Sequence, residues 1–203
     1  MKIIIKFAKI SITDMKMSPA LKGFLISVVA VLMAFGIYFM FLAKKDAYLV
    51  DNPTSETYYF KLNKGAEKII SGGQYVEVDL NKGQNSIQVF DKNKKLLYDS
   101  AFTVARQRGM VNIAHQDYYI HTQYYGYDVD KDSLLMTLGT TTIDNENYFG
   151  APKHFKSLYA EDFYYNVNEN YDRIIKNIQK TETRTKIFRK QDFLNYYKEH
   201  YQF

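Results

Sequence analysis

Residues 75–104 read YVEVDLNKGQNSIQVFDKNKKLLYDSAFTV, and their alternation sets the character of the chain. In Tyr75–Leu80, Val76, Val78 and Leu80 fall on one face and Tyr75, Glu77 and Asp79 on the other. That is the two-residue period of a half-buried strand. After the turn Asn81-Lys82-Gly83-Gln84-Asn85, Ser86–Phe90 continues with Ile87 and Val89 inward. Two alternating strands around a glycine-containing loop predict a hairpin. A second polar turn, Asp91-Lys92-Asn93-Lys94-Lys95, leads to Leu96–Tyr98 and then Ala101–Ala105. On the N-terminal side, Thr57–Leu62 puts Tyr58, Phe60 and Leu62 on one face and Tyr59 and Lys61 on the other. Five or six short strands in this span predict a small β-sandwich over residues 54–108.

The same thirty residues resemble the hairpin of small extracytoplasmic β-sandwich modules of the PEGA type. There, a V-x-L-x-x-G-x-x-x-I-x-V run precedes a polar turn and a closing strand. Lys82-Gly83-Gln84 stands where those modules carry Pro-Gly-His. The resemblance implies a non-catalytic envelope domain.

Further toward the N-terminus, residues 46–53 (DAYLVDNP) end in a turn-favouring Asn-Pro and read as part of a linker over 44–53. Before it, Gly23–Ala43 runs for 21 residues without a charge. At a helical rise of roughly 1.5 Å per residue it spans about 31 Å, the thickness of a bilayer's hydrocarbon layer. Ser18-Pro19 offers an N-cap and a first-turn proline. A cleaved signal peptide has a shorter apolar region and a small-x-small cleavage site. Here Tyr38, Phe39, Met40, Phe41 and Leu42 close the run, so a retained anchor is the expectation.

Charge orients that anchor. Lys2, Lys6, Lys9, Lys16 and Lys22 precede it against Asp14 alone, whereas only Lys44 and Lys45 follow closely. The positive-inside bias puts residues 1–22 in the cytoplasm as a basic tail and residues 46–203 outside. The tail lysines recur at spacings of three or four. They serve insertion from an unstructured tail, or line a basic amphipathic helix against an anionic leaflet. The chain totals 27 Lys and Arg against 22 Asp and Glu; without the five tail lysines and Asp14, 22 basic and 21 acidic groups remain. The external part is thus almost neutral and lacks the footprint of nucleic-acid binding.

No cysteine occurs, so neither a disulfide nor a thiolate ligand or nucleophile is available. Tryptophan is absent too, while tyrosine reaches 19. Residues 109–203 read as a β-rich α+β segment. Met110–Ile113, Asp117–Tyr125, Leu134–Ile143 and Asp162–Val167 are strand-like, and Thr181–Phe188 alternates. Within Asn166–Lys180, Tyr171, Ile174, Ile175 and Ile178 form one helical stripe, with Asn168 as a cap. Phe193, Tyr196, Tyr197 and Tyr201 form a second over Asp192–Tyr201. The fold class is therefore a single-pass transmembrane helix plus a β-rich extracytoplasmic region with one or two amphipathic helices.

Asp128-Val-Asp130-Lys-Asp132 opens like a calcium loop, but Ser133 and Gly139 stand where an EF-hand needs glycine and glutamate. A solvated acidic turn is the expectation, with no metal. His115, His121, His154 and His200 form no H-E-x-x-H or H-x-H pair. There is no G-x-S-x-G elbow, P-loop or Rossmann fingerprint, so neither catalysis nor a cofactor is expected. The densest aromatic stretch is Tyr118 to Tyr127. Tyr119, His121, Gln123 and Tyr125 share one strand face, with Tyr127 beyond, as a surface for a glycan or protein partner. The competing reading is a central strand covered on both faces. The terminal Tyr201-Gln202-Phe203 imitates an outer-membrane barrel signal, without a set of barrel strands to support it.

These readings converge on a bitopic inner-membrane protein. It contacts lipids and other envelope proteins as a homo- or hetero-oligomeric part of a secretion or cell-surface machine. The alternative is an anchored ligand-binding or sensing domain.

Overall fold

Ser18 opens the first element, its hydroxyl accepting from the Leu21 N–H at 3.2 Å while Pro19 takes the first helical position. Helix α1 (Pro19–Ile37) follows and widens into a π-turn over Tyr38–Leu42. The structure is a computed structural model describing residues 18–42, 47–126, 130–174 and 180–201. The expected tail and the Lys44-Lys45 pair fall outside them, apart from residues 18–22. Pro19–Met40 is long and apolar enough to cross a membrane, and α1 buries none of its residues. Length and composition serve an anchor and a signal sequence equally.

The chain divides into Met1–Lys45 and Asp46–Phe203. The second unit is β-rich. Its first sheet has the order β12 (Tyr159–Ala160), β7 (Arg108–Asn112), β1 (Ala47–Asp51), β4 (Tyr75–Val78), with β1 and β7 parallel. Its second has the order β3 (Lys68–Ile70), β2 (Tyr58–Leu62), β5 (Gly83–Phe90), β6 (Leu96–Val104). The third is β11 (Lys153–Phe155), β8 (Tyr118–Tyr125), β13 (Glu182–Arg189), and β9 (Thr140–Ile143) pairs with β10 (Glu146–Phe149). Two helices complete the unit, α2 (Lys131–Thr137) and α3 (Lys190–His200).

Three apolar clusters stack these layers. The first takes Tyr48 and Val50 of β1, Val78 of β4 and Val111 of β7 together with Phe60, Ile70, Ile87, Val89, Phe102 and Val104 of the second sheet. The opposite face of the first sheet gives Leu49 and Met110 to a cluster with Tyr118, Ile120 and Ile187 of the third sheet. The far face of the third sheet packs Tyr119 and Phe188 against Phe193 and Tyr197 of α3, with Ile143, Tyr148 and Leu135. Strands β1 and β7 are therefore buried on both faces, as central strands of layered folds are.

Several expectations change. Residues 47–51, read as linker, form the central strand β1, because a strand buried on both sides does not alternate. The predicted hairpin between Tyr75–Leu80 and Ser86–Phe90 is absent. Strand β4 pairs with β1, and β5 pairs with β2 and β6. Alternation marks a strand without naming its partner. The turn at Asp91–Lys95 does close the β5–β6 hairpin: the Asp91 carboxylate accepts from the Asn93 and Lys95 N–H groups at 2.8 and 2.9 Å. Residues 54–108 do not stand alone, since β1 and β12 complete the sheet that β4 and β7 share. Leu134–Ile143 splits into helix α2 and strand β9. Asp130 caps α2, its carboxylate accepting from the Ser133 N–H at 3.2 Å and hydroxyl at 2.6 Å. Asp162–Val167 is not a strand but carries one bridge, Tyr165 to Lys186. No helix forms over 166–174, and residues 175–179 lie outside the described residues.

Candidate functional site

Strand β8 carries the expected surface. Tyr119 is buried and stacks on Phe193, ring centres 5.3 Å apart. His121 is wholly buried. Its Nδ1 lies 3.2 Å from the Tyr171 hydroxyl and its Nε2 3.4 Å from that of Tyr201. The Tyr171 hydroxyl also lies 3.3 Å from the His121 carbonyl oxygen, an acceptor for it. Phe188, Phe193 and Tyr196 complete the cage. Burial therefore holds the His121 pKa down at about 4, with the nearby His200 charge adding to it. Gln123 is half-buried, its amide donating to the Tyr196 hydroxyl at 3.2 Å while its carbonyl accepts from Arg184 Nε at 2.6 Å. Tyr125 is half-buried at the end of the strand, and Tyr127 lies outside the described residues. The stripe thus begins as core at Tyr119 and emerges at Tyr125, because α3 covers only its first part. Tyr119 and His121 are not surface residues, and the covered-strand reading holds for them.

Gly126 ends the stripe. Its φ of +144° is a conformation that L side chains rarely adopt, and a Cβ there would meet the Lys180 carbonyl oxygen at 2.4 Å.

Beyond β8, residues 161–174 form a strap without regular structure, tied down at most of its polar positions. Glu161 accepts from the Ala105 and Arg106 N–H groups at 2.9 and 3.0 Å. The Tyr164 and Tyr165 N–H groups reach the Thr185 carbonyl at 3.1 and 2.9 Å, and Ile187 N–H reaches Tyr165 O at 3.0 Å. Asn166, buried, donates to Gly109 O at 3.1 Å. Glu169 pairs with Arg108 through its carboxylate and takes a hydrogen bond from Lys186 on its carbonyl. Lys186 is buried, which holds its pKa below that of an ordinary lysine.

Where the strap leaves β13, a cleft of about 430 Å³ opens. Tyr125, Tyr164, Tyr165, Asp172, Arg173, Ile174, Thr183, Arg184 and Thr185 line it. The Arg184 guanidinium lies 5.1 Å from the Tyr125 ring centre and 4.6 Å from that of Tyr171. Its Nε is spent on Gln123 and its Nη1 on the Asp172 carbonyl. The Asp172 carboxylate accepts from the Tyr165 hydroxyl at 2.7 Å. Of the sequence-derived site residues that are described, Tyr125 alone lines this cleft, with Gln123 anchoring its arginine. Sequence reasoning missed Tyr164, Arg173 and Arg184, which carry no motif and meet only through the strap's path.

A second cleft, about 340 Å³, is rimmed by Glu77, Asp79 and Glu169 beside Arg108, whose buried Nε has no hydrogen-bond partner among the described residues. A third, about 460 Å³, lies beside Asp117, Asp144 and Arg189. Asp117 takes a 2.8 Å bond from His154, which holds its carboxyl below the usual range. Among the described residues no group of three His, Cys, Asp or Glu side chains could hold a metal ion, and Asp130 of the acidic loop is engaged as a helix cap.

No protein family, curated protein or solved structure matches this chain.

Proposed function

We propose that this chain is a single-pass, membrane-anchored interaction component of a bacterial envelope assembly, acting through an extracytoplasmic β-sandwich extended by the third sheet and α3. The observation that carries this reading is α1, uncharged from Gly23 onward with none of its residues buried, in the same chain as a β unit with its own buried cores. Such a helix needs lipid around it. The lysine excess ahead of it supports an inner-membrane location with residues 46–203 outside. A non-enzymatic role is supported by the engagement of the reactive side chains: His121 is caged by rings, Glu169 pairs with Arg108, and Asp51 pairs with Arg189.

The test is proteolysis of sealed spheroplasts with cross-linking before solubilisation. The expected result is digestion of residues 46–203, retention of the N-terminal segment in the membrane, and stoichiometric cross-linked envelope partners. A mature N-terminus near Lys44, or a protected β unit, overturns it.

A second reading, anchored ligand binding, is favoured by one observation, the tyrosine- and arginine-lined cleft at the end of β8 and β13.

A further inference from the structure

The cleft beside β13 has a selective lining. Tyr125 and Tyr164 bring rings to the lining, with Arg184 over the first and Arg108 over the second, and Tyr164 is among the most exposed aromatic residues of the β unit. Arg184 is fixed by Gln123, by the Asp172 carbonyl and by two rings, so its plane is set before any ligand arrives. Its remaining nitrogen, Nη2, has no hydrogen-bond partner among the described residues, and neither does the exposed Arg173 guanidinium in the same cleft. Among the described lining residues two arginines stand against one carboxylate, and that carboxylate already accepts from Tyr165. The lining is therefore cationic and donor-rich, with apolar ring faces beside it.

We propose that this cleft binds an acidic saccharide, a sugar ring bearing a carboxylate. The inference rests on the ligand-binding reading and narrows it. The unengaged Nη2 of a pre-oriented guanidinium offers a charge-assisted donor to one carboxylate oxygen, and a second arginine adds charge. Tyrosine rings supply flat apolar area for a sugar face with polar tips at the edge. The volume of about 430 Å³ lies in the range of small-molecule sites. An extended peptide fits less well. Strand addition needs a free edge, and the β13 edge is taken by Tyr164 and Tyr165 at Thr185 and by Ile187 at Tyr165.

Titration calorimetry on the full chain in nanodiscs tests this with three probes: trigalacturonate, neutral maltotriose and inorganic sulfate. Trigalacturonate is expected to bind, more weakly at high salt, and about tenfold more weakly in Arg173→Gln and in Tyr164→Leu. Both replacements are at exposed positions, and unchanged thermal unfolding checks that they fold. Equal affinity for maltotriose overturns the acidic specificity and leaves the ligand-binding reading standing. Equal affinity for sulfate reduces the site to a general anion patch and overturns the saccharide assignment. Binding that neither variant weakens places the ligand elsewhere and overturns the cleft. No binding of any probe overturns this inference and withdraws the cleft's support for the second reading.

Discussion

Two cores in the β unit are built on different chemistry. The cluster between the first and second sheets is mostly aliphatic, with Val50, Ile70, Ile87, Val89, Val104, Val111 and Ile113 all buried. The cluster around α3 is mostly aromatic: Tyr119, Tyr148, Phe188, Phe193, Tyr197 and Tyr201, with Tyr124, Tyr171 and Tyr196 against it. An aliphatic core demands volume and alternation alone. A tyrosine core adds a hydroxyl per side chain, and each must find a partner or water. The Tyr197 hydroxyl accepts from the Phe149 N–H at 2.9 Å, Tyr148 donates to Glu146, and Tyr171 and Tyr201 face His121. The aromatic region therefore holds its shape through directional bonds and carries a buried imidazole, whereas the aliphatic cluster has no histidine among its buried residues.

Between them lies the cluster that joins the first and third sheets, capped by one ion pair. Asp51 is wholly buried and receives Arg189 Nε at 2.9 Å, Nη2 at 2.6 Å and the Tyr118 hydroxyl at 2.6 Å. Strands 138 residues apart in sequence are linked there. The hydrogen bond to Asp51 raises the Arg189 pKa, and burial followed by the Asp51 charge raises that of Tyr118.

Breaking that link has the largest expected consequence. Arg189→Leu leaves the Asp51 carboxylate buried without its counter-ion and should cost about 4 kcal/mol, read as a lowered midpoint in urea unfolding of the full chain in detergent. Core truncation comes close behind and compares the two regions directly. Phe193→Ala should cost about 4 kcal/mol, and Ile87→Val in the aliphatic cluster only about 1 kcal/mol. Hydrogen exchange is expected to loosen around α3 for the first and around β5 for the second.

Acid separates the cores by chemistry. The folded pKa of His121, about 4, lies below its ordinary value of 6.5, so the unfolded chain takes up the proton first. The stability that this group contributes is complete above pH 6.5 and is lost as pH falls toward 4, a change of about 3 kcal/mol. His121→Gln stays neutral and should flatten that slope in a series of unfolding curves. A surviving slope would assign the acid sensitivity to another group. Gly126→Ala, forced against the Lys180 carbonyl at a strained φ, should cost about 2 kcal/mol. Asp130→Ala removes the α2 cap and has the smallest expected effect, visible as faster local exchange at Ser133 with little change in the unfolding midpoint.

Where residues alternate against solvent, the chain could be read directly. The inward set Tyr58, Phe60, Leu62, Ile87 and Val89 lies in or against the first cluster, and the α3 stripe of Phe193 and Tyr197 is buried as its spacing requires. Strand β1 escaped because both of its faces are covered, and α2 escaped because Leu134-Leu135 beside threonines looks equally like a strand. The cleft escaped for a different reason. Tyr125, Arg173 and Arg184 have no spacing in common, and only the strap's bonds to β13 bring them together.

Sequence alone determined an uncharged helix long enough for a bilayer, a nearly neutral β-rich remainder, and the faces of strands with one wet side. Each of these depends on local composition or on a period of a few residues. Strand partners, the double burial of β1 and β7, the Asp51–Arg189 pair and the cleft were decided by tertiary structure. They depend on which distant surfaces exclude water together, and no local pattern records that choice.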